Sequence, residues 1–176
     1  MEQIYHYTSE SNWEKIKEGG ILMPKSGPFD SIDDIIAIPQ RVKEIVTFKN
    51  YLVGIPPESL NKWIEYGLMD YVVDHISKKT PKKVMLKVPI FNKEEAFVRE
   101  HKFMSPKYFI NSYEEDLWKK LWNCEISEEE DFRTKDSLIK YIESTTRLSD
   151  YKGQFEVPEV WIPQETPIDK LELVVN

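Results

Sequence analysis

Short strand patterns stand at both ends of this 176-residue chain, and helical patterns are grouped between them. Ile4 to Tyr7 alternates as a first strand, while Phe155 to Ile162 and Leu171 to Val175 read as two closing strands with a proline-bounded connection. That order argues for an α+β fold. The length suits one domain, residues 1–176, with enough chain for a real core.

Between the ends, Ser11 to Glu18 reads as a helix. Ser11 and Glu14 have capping-box spacing, and Gly19 supplies the stop. Ile21 to Pro24 leaves it as an extended segment, and Lys25 to Phe29 is a loop. Asp30 to Ile38 is expected as a short helix ending before Pro39, and Ile45 to Gly54 as a strand. Pro56-Pro57-Glu58 opens a helix in which Leu60, Trp63 and Ile64 follow helical spacing and Gly67 stops it. Asp70 caps a following helix with Val73 and Ile76 inward, and Lys78 to Lys83 is a basic turn. Val84 to Ile90 is the clearest strand, and its apolar run suggests a central position. Glu94 to Phe109 matches neither period. Ser112 to Asn123 is expected as a helix with a core stripe of Leu117, Trp118, Leu121 and Trp122, Glu125 to Asp131 as an exposed acidic run, and Lys135 to Ser144 as another helix.

Composition narrows the function. Hydrophobic residues make up 40% and charged residues 31%, the balance of a soluble globular protein. A net charge of −7 argues against nonspecific nucleic-acid binding, which needs a basic excess for the phosphates. Cys124 is the single cysteine, so no internal disulfide forms, and its neighbours lack the cationic cluster that activates a thiol. The start, MEQIYHYTSE, lacks the layout of a signal peptide, and no apolar run is long enough to span a membrane. The expected compartment is cytoplasmic.

Tyr5-His6-Tyr7-Thr8 places a histidine at the end of the first strand with a hydroxyl residue two places on. The imidazole can donate or accept, the Tyr7 backbone can pair with an amide, and the Thr8 hydroxyl can close the site or cap the helix. The alternative makes Tyr5 and Tyr7 core aromatics and His6 a half-buried partner of a backbone group. Together with the Gly19-Gly20 stop and the late Pro158-Glu159-Val160-Trp161-Ile162, the motif resembles the ADP-ribosyltransferase fold, in its histidine-tyrosine-glutamate branch. The resemblance rests on about 30 residues at the front and about 20 at the back. It implies two small packed, antiparallel-rich sheets forming a cleft with helices around them, and NAD as substrate with no metal.

In that chemistry, cleaving the bond between nicotinamide and ribose builds positive charge on the sugar. The resemblance makes Glu159 the carboxylate that stabilises it, His6 the holder of a ribose hydroxyl, and the Tyr7 backbone the partner of the carboxamide, with Thr8 beside them. Ser105 and Tyr108 have the spacing of the family's amide-binding serine and stacking tyrosine, but they follow the strongest strand where better-known members place them before it. Tyr51, Tyr66 and Tyr71 are substitutes for the stacking ring. Arg99 is a candidate for a pyrophosphate, with Glu100 and His101 beside it. Glu156 rivals Glu159, but three residues apart on a regular strand the two face opposite ways. The expected activity is transfer of ADP-ribose to an unidentified acceptor. The alternatives are a non-catalytic nucleotide- or protein-binding module on the same scaffold, removal of an RNA 2′-phosphate, for which four arginines are few, and a metal-dependent hydrolase, for which His6, His75 and His101 lack ligand spacing.

Overall fold

A computed structural model of the chain describes residues 1–29, 32, 35–69, 83–108 and 128–174. β1 (Gln3–Ser9) pairs antiparallel with β4 (Lys83–Pro89), which pairs on its other side with β9 (Glu172–Val174). A second, four-stranded sheet runs in the order β3 (Leu52–Gly54), β7 (Pro158–Ile162), β5 (Phe97–Glu100), β6 (Thr146–Arg147), with every pairing antiparallel. β2 (Ile21–Leu22) and β8 (Thr166–Pro167) form a small ribbon. The fold is therefore α+β.

The sheets are stitched where β1 meets the end of β3. Tyr5 and Ile55 exchange both backbone hydrogen bonds, at 2.8 and 2.9 Å. Gly54 permits this approach: a Cβ there would stand 2.7 Å from the Tyr5 carbonyl oxygen and 2.6 Å from Cδ1 of Ile4.

Strand alternation divides the interior. Ile4, Leu86 and Val88 from the first sheet meet Leu52, Val98, Val160 and Ile162 from the second in one core. The other face of the second sheet carries Phe97 and Trp161. It packs with Tyr51 under α2 (Gln40–Ile45) and α4 (Glu128–Glu143), which supply Val42, Leu138, Tyr141 and Ile142. A third cluster joins Ile55, Leu68 and Val157 to Trp63 of α3 (Leu60–Glu65), with Tyr7 packed against it.

Several local expectations are corrected. α1 runs Glu10–Gly19, and its cap is Ser9, whose hydroxyl accepts from the Asn12 N–H at 3.2 Å; the left-handed stop is Gly20, at φ 72°. A further helix begins after Pro39, and the strand expected from Ile45 is reduced to Leu52–Gly54. Ile64 is 57% exposed, so α3 turns only Trp63 inward. The unassigned stretch holds β5 and a 3-10 turn, His101–Met104. α4 absorbs the end of the acidic run and begins before Lys135. Val84 to Ile90 is central in its sheet as read, and the Pro56-Pro57-Glu58 entry opens a 3-10 turn that feeds α3. Cys124, Tyr71, His75, the helices read around Asp70 and Ser112, and the acids of the Asp30 segment lie outside the described residues.

Candidate active site

β1 and α1 build one wall of a pocket of about 440 Å³. His6, Tyr7 and Thr8 line it, with Lys15 of α1 and Lys25, Ser26 and Tyr51 from the facing segments. His6 is oriented by the protein: its Nδ1–H donates to the Val53 carbonyl at 2.8 Å. That bond assigns the tautomer, because a carbonyl only accepts. Nε2 is then the acceptor nitrogen, and it has no protein partner among the described residues. Burial pushes the imidazole pKa down, outweighing the Val53 bond, so the ring is held neutral. Lys15 and Lys25 form no ion pair among the described residues, which leaves two cations at the pocket.

A second polar site lies across β7. Glu159 alternates with Val160, so it faces away from the core that holds Ile4 and toward α4. Its Oε2 accepts from the Tyr141 hydroxyl and, at 2.8 Å, from the Trp161 indole N–H. Its Oε1 stands 3.1 Å from Nδ1 of His101, at ion-pair distance; the ring N–H lies off the line between them, so the contact is not an aligned hydrogen bond. Burial alone would push this carboxyl up. The electrostatic pull of the neighbouring His101 ring and the contacts from His101, Tyr141 and Trp161 outweigh it and hold the pKa at about 2. Tyr141 moves the other way: burial first, then the Glu159 charge, pushes its phenol well above its ordinary value, so it stays a donor.

His101 is held from several sides. Trp63 stacks on its ring at 4.8 Å, Tyr141 meets it edge-on at 5.6 Å, and its backbone N–H donates to the Val157 carbonyl at 2.9 Å. Trp63 in turn anchors its indole N–H on the Pro158 carbonyl at 3.0 Å. The 3-10 turn that carries His101 follows β5 directly, which is why residue 101 arrives beside the β7 carboxylate.

Arg99 pairs in register with Glu159 but is not laid open to a ligand. It is fully buried, with Nε donating to Thr145 Oγ1 at 3.0 Å and one terminal nitrogen to the Pro28 carbonyl at 2.9 Å. Phe29, Phe97, Tyr141 and Trp161 enclose the guanidinium at 4.9 to 5.6 Å from their centroids. Ser105 and Tyr108 close a local turn: the serine hydroxyl donates to the Lys102 carbonyl at 2.6 Å and accepts from the Tyr108 N–H at 3.2 Å. The Tyr108 hydroxyl accepts from Lys140 at 3.2 Å. Glu156 is an exposed partner of Lys102 and Tyr66.

The sequence motif thus divides. His6, Tyr7 and Thr8 share the pocket; Glu159, His101 and Arg99 share the opposite face of β7; Ser105 and Tyr108 bond to each other, to Lys102 and to Lys140. No hydrogen bond or ring contact among the described residues connects His6, Tyr7 or Thr8 to Glu159. The link is by packing. Tyr7 lines the pocket and also touches the cluster of Trp63, which stacks on His101. Sequence reasoning missed Trp63, Trp161 and Tyr141 as functional neighbours. Only Trp161 carried a signal, two residues after the glutamate and therefore on its face.

Among the described residues no group of three or more His, Cys, Asp or Glu side chains is placed to hold a metal ion, and no helix is long and apolar enough to cross a membrane. No family model, curated protein or solved structure matches the chain.

Proposed function

We propose that the pocket beside β1 binds NAD and that the protein transfers ADP-ribose from it to an acceptor. The observation that carries this reading is the wall made by His6, Tyr7 and Thr8 together with Lys15 and Lys25. A neutral imidazole with a bare Nε2 accepts from a sugar hydroxyl, and the two ammonium groups suit a diphosphate. A volume of about 440 Å³ lies in the range of small-molecule sites and fits a large part of a dinucleotide. Glu159, kept ionised, is the carboxylate available to balance charge on the ribose. It stands on the other face of β7, so the reaction requires the nicotinamide riboside end to pass Tyr7 toward Trp63 and His101.

A second reading is a binding module without chemistry. The observation favouring it is that Glu159 is already occupied by two donors and an imidazole and lines no part of the pocket. Calorimetry with NAD and a chromatographic assay of nicotinamide separate the two. The transferase reading expects binding weakened by Lys15→Glu, and nicotinamide release abolished by Glu159→Gln. Binding without release from the wild type selects the module; absence of binding rejects both.

A further inference from the structure

We propose that His101 and Glu159 form an imidazole–carboxylate dyad that takes the proton from a hydroxyl acceptor or water during attack on the ribose; the reaction, though not the dyad, rests on the transferase reading above. Three observations lead there. First, Oε1 of Glu159 is the acidic oxygen facing the buried Nδ1 of His101, at 3.1 Å. Two lone pairs at that distance repel, so Nδ1 carries a hydrogen. Neutral imidazole has one N–H, which leaves Nε2 as the basic nitrogen, and Nε2 has no hydrogen-bond partner among the described residues. Second, the carboxylate is itself fixed. With Oε2 tied to Tyr141 and Trp161, only Oε1 addresses the ring, the arrangement of an orienting carboxylate behind a general base. Third, the ring is immobilised in its plane by Trp63 stacked at 4.8 Å and by Tyr141 edge-on, and 12% of its side chain remains exposed.

In the step itself, the acceptor oxygen forms a bond to the anomeric carbon of the ribose as the bond from that carbon to the nicotinamide nitrogen breaks. The electron pair of the broken bond leaves with nicotinamide. The proton of the acceptor O–H moves to Nε2 of His101. The resulting imidazolium is balanced by Glu159 until its proton passes to solvent. With water as acceptor the products are ADP-ribose, nicotinamide and a proton.

The dyad is tested first on the wild-type protein. Nitrogen NMR of the His101 ring at neutral pH is expected to report hydrogen on Nδ1. Hydrogen on Nε2 overturns the dyad, whatever the protein does to NAD. The reaction is tested with NAD alone, with water as acceptor. His101→Asn is expected to lower nicotinamide release about a hundredfold or more, with the loss in kcat larger than any change in KM. His101→Gly is expected to regain release on addition of free imidazole. Release by His101→Asn at the wild-type rate overturns the proposal. A wild type that binds NAD but releases no nicotinamide overturns the transferase reading and the proton step with it, and the tautomer still decides the dyad.

Discussion

The two polar sites differ in how far the protein satisfies its own groups. At the pocket, His6 spends one nitrogen on Val53 and leaves the other open, and Lys15 and Lys25 are unpaired among the described residues. Across β7, Glu159 meets Tyr141, Trp161 and His101, and both its oxygens are engaged. Unpaired polar groups around a cavity are supplied for a ligand; a buried carboxylate engaged on both oxygens is held by the protein. The first site therefore reads as binding and the second as scaffold with a preset charge. The open Nε2 of His101 is what keeps the second from being scaffold alone.

Glu159→Ala sharpens this contrast most. It strands the Tyr141 hydroxyl, the Trp161 N–H and His101 without their buried partner. Losing one side of such a pair costs about 4 kcal/mol. Urea denaturation is expected to report a large drop in midpoint, and Glu159→Gln, which keeps an acceptor for Tyr141 and Trp161 but loses the charge, a smaller one. Equal, small losses in both variants would mean that the network holds nothing together.

The sites also separate by pH. Glu159 is lowered from 4.5 to about 2 in the folded protein. Its contribution is therefore complete above its unfolded value and disappears as pH falls from about 4.5 through about 2. At roughly 1.4 kcal/mol per tenfold change in proton affinity, that is about 3 kcal/mol. His6 is also lowered, by burial, from 6.5. Its neutral form is favoured by folding, so stability is full above 6.5 and erodes as pH falls below it. Stability measured against pH is expected to bend twice. Glu159→Gln is expected to shrink the lower bend, to which the exposed Glu65 and Glu156 also contribute, and His6→Gln to remove the upper one; a lower bend unchanged in Glu159→Gln contradicts the separation.

His6→Ala is expected to cost about 2 kcal/mol. It removes the hydrogen bond to Val53 and leaves that carbonyl unpaired. The loss should be smaller than at Glu159, with thermal denaturation as the measure, while NAD affinity falls along with it. A stability loss with unchanged affinity would assign His6 to the backbone alone.

Much of this contrast was hidden in the chain for identifiable reasons. β4 was legible because its apolar run buries Met85, Leu86 and Val88 and is interrupted by one charge, Lys87, whose ammonium escapes to Glu172. β5 was not, because Phe97-Val98-Arg99-Glu100 ends in two charges that normally signal surface. Their hydrogen-bond partners come from far away: Pro28 and Thr145 for Arg99, which keeps one buried terminal nitrogen without a partner among the described residues, and the backbone N–H groups of Glu156 and Val157, at 2.7 and 2.9 Å, for Glu100. Those partners are 46 or more residues distant, and no local period records them. The helix cap slipped from Ser11 to Ser9 because both serines precede acceptable spacings. At the site, the first strand announced its histidine, but the imidazole beside Glu159 is His101. Pairing across β5 and β7 fixes that neighbour, and it became readable only once β5 was known.

The smallest effect on stability is expected at the pocket cations, and it tests the binding half of the comparison most directly. Lys15→Glu with Lys25→Glu reverses two charges that line the pocket and have no ion-pair partner among the described residues. Such surface changes stay within about 0.5 kcal/mol of the wild type in denaturation. Attraction between these lysines and a diphosphate is screened by salt over about 10 Å at 0.1 M. NAD affinity is therefore expected to fall by about tenfold or more at low salt and to lose most of its salt dependence. An affinity that falls equally at every salt concentration would instead mean that the substitutions closed the pocket, and that charge plays no part in what it holds.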